Sequence, residues 1–280
     1  GLVILPGPQE SSFAEQDYRS DAAIVRLRHE MGPSFVSAFA TTREVDGGGY
    51  NRVFGPDFQW RPRPADSFTG QALWSETRTP DRTDLADQWD GRALSDRALL
   101  LNYQHADAHF DFFTQGQDIG RDFRADNGFM PQVGYREGYV ETGWTTRPKD
   151  RFVSRLRSFA IAYLDATPDG TTLNQRVAVG AGMDGKLNSF RRVDLNQDAI
   201  RVGDVLLRRF RPRFQLQASP GRLLNSLTLD SYFGEEIDFD NAREATGVTV
   251  TGTFTLRPTA HLELANSTSG RWLHVDAGGG

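Results

Sequence analysis

The chain has no cysteine. Disulfides, thiolate nucleophiles and cysteine metal sites are therefore excluded together. Lysine is nearly absent as well: only Lys149 and Lys186 occur, so 30 of the 32 basic residues are arginine. Arginine keeps its charge and binds carboxylate or phosphate bidentately, although G+C-rich codon usage produces the same bias. Apolar residues reach only 38%. No run approaches the ~18 apolar residues of a membrane-spanning helix. A helical membrane protein is excluded, but a membrane β-barrel is not, because its strands are short and alternate. The segment Gly1-Leu2-Val3-Ile4-Leu5-Pro6 is too short for a signal-peptide core and no basic stretch precedes it. It reads as the start of a mature or truncated chain, or of one never exported.

Acidic residues outnumber basic ones, leaving a net charge of −5 over 280 residues. A nucleic-acid partner is not expected, since such proteins carry a basic face. Gly is abundant at 28 and aromatics make up 11%. That combination suits a β-protein with many turns, or one with a wet interior.

Period-2 alternation dominates the chain. Between Thr246 and Leu256, Val248, Val250, Phe254 and Leu256 share one face while Thr249, Thr251, Thr253 and Thr255 share the other. Leu223, Leu227, Leu229 and Phe233 line a preceding strand. Strands are also read at 24–30, 35–42, 54–60, 71–77, 98–104, 106–114, 134–146, 152–165, 176–183, 205–217 and 261–265. Turn signals fall between them at 31–34, 46–49, 167–170, 184–185, 219–221 and 257–259. Segment 83–100 is the one helix-like stretch, and Gly91 weakens it.

These features predict an all-β fold: an antiparallel meander, barrel-like or an open large sheet, with little helix. Residues 1–20 read as an N-terminal extension, 21–276 as a single domain and 277–280 as a Gly-rich tail. Long polar connections are expected at 78–96, 118–132 and 233–246. Short turns at one rim and long loops at the other are the pattern of a transmembrane barrel.

The segment 205–217 is long enough to cross a bilayer with ~9–11 residues. One side carries Leu206, Arg208, Phe210, Pro212, Phe214 and Leu216; the other carries Arg209, Arg211, Arg213, Gln215 and Gln217. In a barrel the arginine side faces water and Arg208 sits near an interface, because a mid-bilayer Arg costs ~2–4 kcal/mol. In a soluble sheet the arginine side is the solvated one. Pro212 cannot donate to a ladder and predicts an edge or a bulge.

The best polar constellation is His105, Asp107, His109 and Asp111. On one strand these four form a single row, and imidazole and carboxylate together suit zinc or another divalent cation. Side chains two apart are ~6.6–7 Å distant, so one ion would need a ligand from a neighbouring strand. A charge-paired strand face is the competing reading. Glu235, Glu236, Asp238 and Asp240, and also Asp194 and Asp198, are acidic sets without calcium-loop spacing. No Gly-x-Ser-x-Gly elbow, phosphate loop or dinucleotide fingerprint occurs. No catalysis and no cofactor are expected. Trp60, Trp74, Trp89, Trp144 and Trp272 could stack sugars, form an interfacial girdle or simply pack.

Arg26-Leu27-Arg28-His29-Glu30 followed by Ser34-Phe35-Val36-Ser37-Ala38-Phe39-Ala40-Thr41 resembles a block in a bacterial family of unknown function. In that family a barrel-like C-terminal region follows a module similar to family-9 carbohydrate-binding domains. Asn51 with Gly55-Pro56-Asp57-Phe58 also fits. So do Ile119-Gly120-Arg121-Asp122-Phe123 with Asp126-Asn127-Gly128-Phe129, Tyr135-Arg136 and Leu256-Arg257-Pro258. The likeness spans most of residues 20–270. It implies an envelope protein, an outer-membrane β-barrel, with no catalytic residue to carry over. It also implies further strands beyond Trp272 and a preceding carbohydrate-binding module, so the sequence reads as a fragment or a variant. The partners it suggests are a membrane, a membrane protein complex served by a periplasmic accessory subunit, or a carbohydrate.

Overall fold

A computed structural model describes residues 2–10, 17–128, 130–149 and 152–275. The first strands are β1 (Leu2–Glu10), β2 (Asp17–Met31), β3 (Ser34–Val45), β4 (Gly49–Arg63) and β5 (Asp66–Arg78). Next come β6 (Ala93–Ala106), β7 (Phe110–Ile119), β8 (Tyr135–Thr146), β9 (Val153–Ala166) and β10 (Thr172–Gly185). The last are β11 (Ser189–Val202), β12 (Val205–Ala218), β13 (Leu224–Asp238), β14 (Arg243–Thr259) and β15 (Leu262–His274). All fifteen lie in one sheet in sequence order, with β1 and β15 at its edges. The all-β antiparallel meander expected from the alternation is therefore present. Among the described residues there is no α-helix, only a 3₁₀ turn at Phe239–Asn241.

The strands divide into two compact units. Unit 1 comprises Gly1–Gln104, Thr114–Gly138 and Ala166–Thr171; unit 2 comprises His105–Phe113, Tyr139–Asp165 and Thr172–Gly280. Residues 1–20, expected as an extension, contain β1 and the first residues of β2. The expected Gly-rich tail, 277–280, lies outside the described residues.

Local chemistry places most turns where anticipated. Gly47 and Gly48 take φ of 98° and 84° between β3 and β4, a conformation costly for residues with a Cβ. The turn expected at 184–185 falls instead at Lys186–Asn188, where Leu187 and Asn188 supply the positive φ. The helix-like stretch 83–100 is a loop running into β6. The long connection expected at 233–246 is also corrected. There β13 continues to Asp238 and β14 starts at Arg243, so the acidic residues sit mainly on strand and not in a loop.

The other two long connections, 79–92 and 120–134, leave the same end of unit 1, following β5 and β7. The opposite end of its strands has tight turns at 32–33 and 64–65. Pro212 interrupts its ladder as expected. The β12–β13 register runs from Arg213↔Tyr232 to Ala218↔Leu227 and stops at the proline. Glu235 then accepts the backbone N–H of Phe210, a donor left free by that break.

Candidate functional site

Opposite residues of an antiparallel pair point to the same side of the sheet. In unit 2 this fixes two rows of contrasting chemistry. Asp194, Asn196 and Asp198 of β11 face Arg213, Arg211 and Arg209 of β12. On the other side, Val193 and Leu195 face Phe214 and Pro212. The polar row is the buried one: Asp194 is 1% exposed, Asp198 6%, Arg209 6% and Glu236 2%. Val193 is 54% exposed, Phe210 42% and Trp272 62%. This reverses the arrangement of a water-soluble protein, where charge is almost never buried unless paired.

The buried charges are paired. Asp198 lies 3.1 Å from Arg209 and 3.0 Å from Arg211. Glu236 lies 3.1 Å from each of the same two arginines and 3.2 Å from Arg271. Thr249 donates its hydroxyl to Glu236 at 3.2 Å. Two carboxylates thus bridge three guanidinium groups drawn from β12 and β15. Arg213 pairs with Asp230, and Arg211 and Arg213 both lie over the Tyr232 ring. A second cluster joins Arg157 of β9 to Asp111 and Glu141. Ionised partners make these hydrogen bonds about twice as strong as neutral ones.

Unit 1 covers its polar face differently. Residues 123–127 fold back over β3, β4 and β5. Asn51 donates to the carbonyl of Arg124 at 3.0 Å and accepts the N–H of Asp126 at 3.0 Å. Ser75 accepts the N–H of Arg124, and Asn127 donates to Thr41 and to the carbonyl of Thr42. Phe123 is 2% exposed and packs with Val53 and Ile119, joined by Leu73, Met130 and Tyr135. Beneath the loop remains a cavity of about 290 Å³ bordered by Val53, Leu73, Ile119, Phe123 and Met130. The long polar connection expected at 118–132 thus covers this face through its described residues.

The four candidate metal ligands are not brought together. The predicted strand 106–114 breaks: β6 ends at Ala106, β7 begins at Phe110, and 107–109 is the turn. Asp107 causes it. Its Oδ1 accepts the N–H groups of His109 and Phe110, both at 2.7 Å, and these bonds, that of Phe110 foremost, hold its carboxyl below the usual range. His105 Nε2 is 3.5 Å from Asp107. His109 Nδ1 instead lies 3.1 Å from the carbonyl of Thr145, and Asp111 is committed to Arg157. Among the described residues, no group of three or more His, Asp or Glu could hold a metal ion.

The other acidic sets have structural partners too. Asp194 accepts from Arg192 and Asn196, and Asp238 from Asn241 and Arg243. Asp240 lies in the 3₁₀ turn. Glu236 and Asp198, which lack calcium-loop spacing, are paired with arginine. The arginine row of β12 was the available signal.

Four of the five tryptophans, Trp60, Trp74, Trp144 and Trp272, are exposed. Trp60 stacks on Phe68 with centroids 5.1 Å apart, and Phe68 on Tyr103 at 4.4 Å. This stack stands beside the short turn at 64–65. In unit 2, Trp144 stacks on His109 beside the short turn at 107–109. Trp89 instead packs edge-on against Tyr18 at 5.0 Å.

The architecture is that of a large up-and-down meander whose buried residues combine paired charges with small apolar clusters, such as Phe159, Ile161 and Ala178, and whose exposed residues include many large apolar side chains. No protein-family model matches the chain. No curated protein matches it either. Its fold is similar to that of the ferric enterobactin receptor of Pseudomonas aeruginosa. One crystal structure, of a mutant in complex with enterobactin, aligns with TM-score 0.57 at 9% identity, over 96% of this chain and 53% of the receptor. A second mutant aligns with TM-score 0.55 at 9% identity, over 96% and 52%. The chain thus spans about half the length of that receptor.

Proposed function

We propose that this chain is an outer-membrane β-barrel-type protein of the bacterial envelope, with a binding or transport role and no catalysis. The observation that carries the reading is the inverted burial of unit 2, with arginine and carboxylate rows covered and Val, Leu, Phe and Trp exposed. A lipid-facing strand surface is apolar while the opposite surface is polar, alternating residue by residue. In water that exposed surface would be an aggregation liability. The aromatic stacks beside the short turns match the interfacial belt of such barrels, and the fold shared with an outer-membrane receptor agrees with the same placement.

The test is extraction and folding state. The chain should resist release from membranes by urea and require detergent. In cold SDS it should migrate differently before and after boiling. Material that is a stable monomer in detergent-free buffer overturns the proposal. An accessory subunit of a larger membrane complex would also hide the apolar face. That reading is favoured instead if the chain inserts into vesicles only together with co-purifying proteins.

A further inference from the structure

The exposed face of unit 1 carries a groove of about 650 Å³ with an almost wholly apolar lining. Its floor is made of small residues, Gly70, Ala72 and Gly116, and its walls include Phe58, Leu99 and Leu101. The ring of Phe58 leans over Gly70 so closely that a Cβ there would lie 2.4 Å from it. Leu101 is 58% exposed, so the groove opens outward.

At one end the groove is bordered by Asp118, whose two arginine partners lie outside its lining. Arg97 precedes Leu99 on the same row of β6, and Asp118 follows Gly116 on the same row of β7. Asp118 is shared between Arg97 at 3.6 Å and Arg136 of β8 at 3.4 Å. Both guanidinium groups remain more than half exposed. One carboxylate cannot neutralise two cations, so the cluster keeps one net positive charge and several free N–H donors.

We propose that groove and cluster form one site for a glycerophospholipid with an anionic headgroup. The phosphate sits on Arg97 and Arg136, which suit it by bidentate geometry. An acyl chain runs over Gly116 and Ala72, alongside the Phe58 ring that covers Gly70. Successive residues of a row are ~6.6–7 Å apart, so headgroup and first methylenes reach their partners together. A peptide strand fits poorly, because the lining is almost wholly apolar apart from the Asp118 end and leaves most of its amides without a partner. The site rests on the membrane placement proposed above.

The test is native mass spectrometry of the detergent-purified chain offered phosphatidylglycerol, phosphatidylcholine or lipid A. Phosphatidylglycerol should be retained about fivefold over phosphatidylcholine, the factor that one uncompensated arginine supplies near an anionic surface. Arg97→Gln with Arg136→Gln should abolish that preference. Gly116→Leu should reduce retention of both phospholipids. Each variant is compared only if its boiling-dependent gel shift persists. Equal retention of the two phospholipids, or stronger retention of lipid A, overturns the site while the gel shift leaves the membrane placement standing. A detergent-free soluble monomer overturns both.

Discussion

The two units bury polar faces by opposite means. Unit 2 uses charge against charge: Asp198 and Glu236 are shared among Arg209, Arg211 and Arg271 on neighbouring strands. Unit 1 uses a loop, whose backbone groups at Arg124 and Asp126 are satisfied by Asn51 and Ser75 while the Asn127 side chain donates to Thr41 and Phe123 anchors it. A shared-carboxylate network is rigid because each member is needed by several others. A loop cover can open locally and leave its strands paired. The same inversion of burial is thus built once as a permanent wall and once as a removable cover.

The largest expected break is in unit 2. Glu236→Ala takes one carboxylate from Arg209 and Arg211, leaving them to share Asp198, and leaves Arg271 without its carboxylate; it should cost about 3–5 kcal/mol, the usual penalty for breaking a buried ion pair. Urea unfolding in detergent micelles measures it. Replacing Asp198, Glu236, Arg209 and Arg211 together by leucine should cost much less, because the buried carboxylates leave with the arginines they pair and Arg271 is partly exposed. If the single and quadruple variants are equally damaging, the network is not the source of rigidity.

In unit 1, Phe123→Ala should cost about 3 kcal/mol, but locally. Protease should cut within 120–134 while the boiling-dependent gel shift survives. Loss of the gel shift would show the cover to be as integral as the arginine wall. Asn51→Ala removes a donor and an acceptor from the same loop and should cost about 1–3 kcal/mol. It is read by faster amide exchange of Asp126.

The smallest effect lies outside the contrast, at the turn 107–109. The backbone N–H groups of Phe110 and His109 hold the Asp107 carboxyl below its ordinary value. Its stabilisation is complete above the unfolded carboxylate pKa of ~3.9. It is lost as pH falls through the lower, folded value. Amide exchange at His109 and Phe110 should therefore accelerate only in strong acid. Asp107→Ala should remove that dependence.

Much of the fold was legible because period-2 alternation survives whichever face is buried. The 205–217 strand, the break at Pro212 and the turns at Gly32, Gly47 and Gly170 follow from residue chemistry alone. β11 was not read as a strand, since its apolar row Val193, Leu195 and Ala199 is broken by Gln197 and its polar row resembles a solvated loop. The row His105–Asp111 failed for the converse reason. Alternation continues through it, while a carboxylate capturing two amides turns the chain without glycine or proline. The acidic residues were legible as a set, but not their partners, because Glu236 meets Arg209, Arg211 and Arg271 only through strand register.

By itself, then, the sequence determined the class of fold and the existence of two chemically distinct strand faces. It also ruled out helical membrane spans and cysteine chemistry. Which face is covered was decided by tertiary structure. A row such as Arg209, Arg211 and Arg213 suits bulk water and a buried carboxylate ladder equally well. Only the register of β11 and β13 against it supplies the counter-charges, Asp198, Asp230 and Glu236, that allow it to be buried.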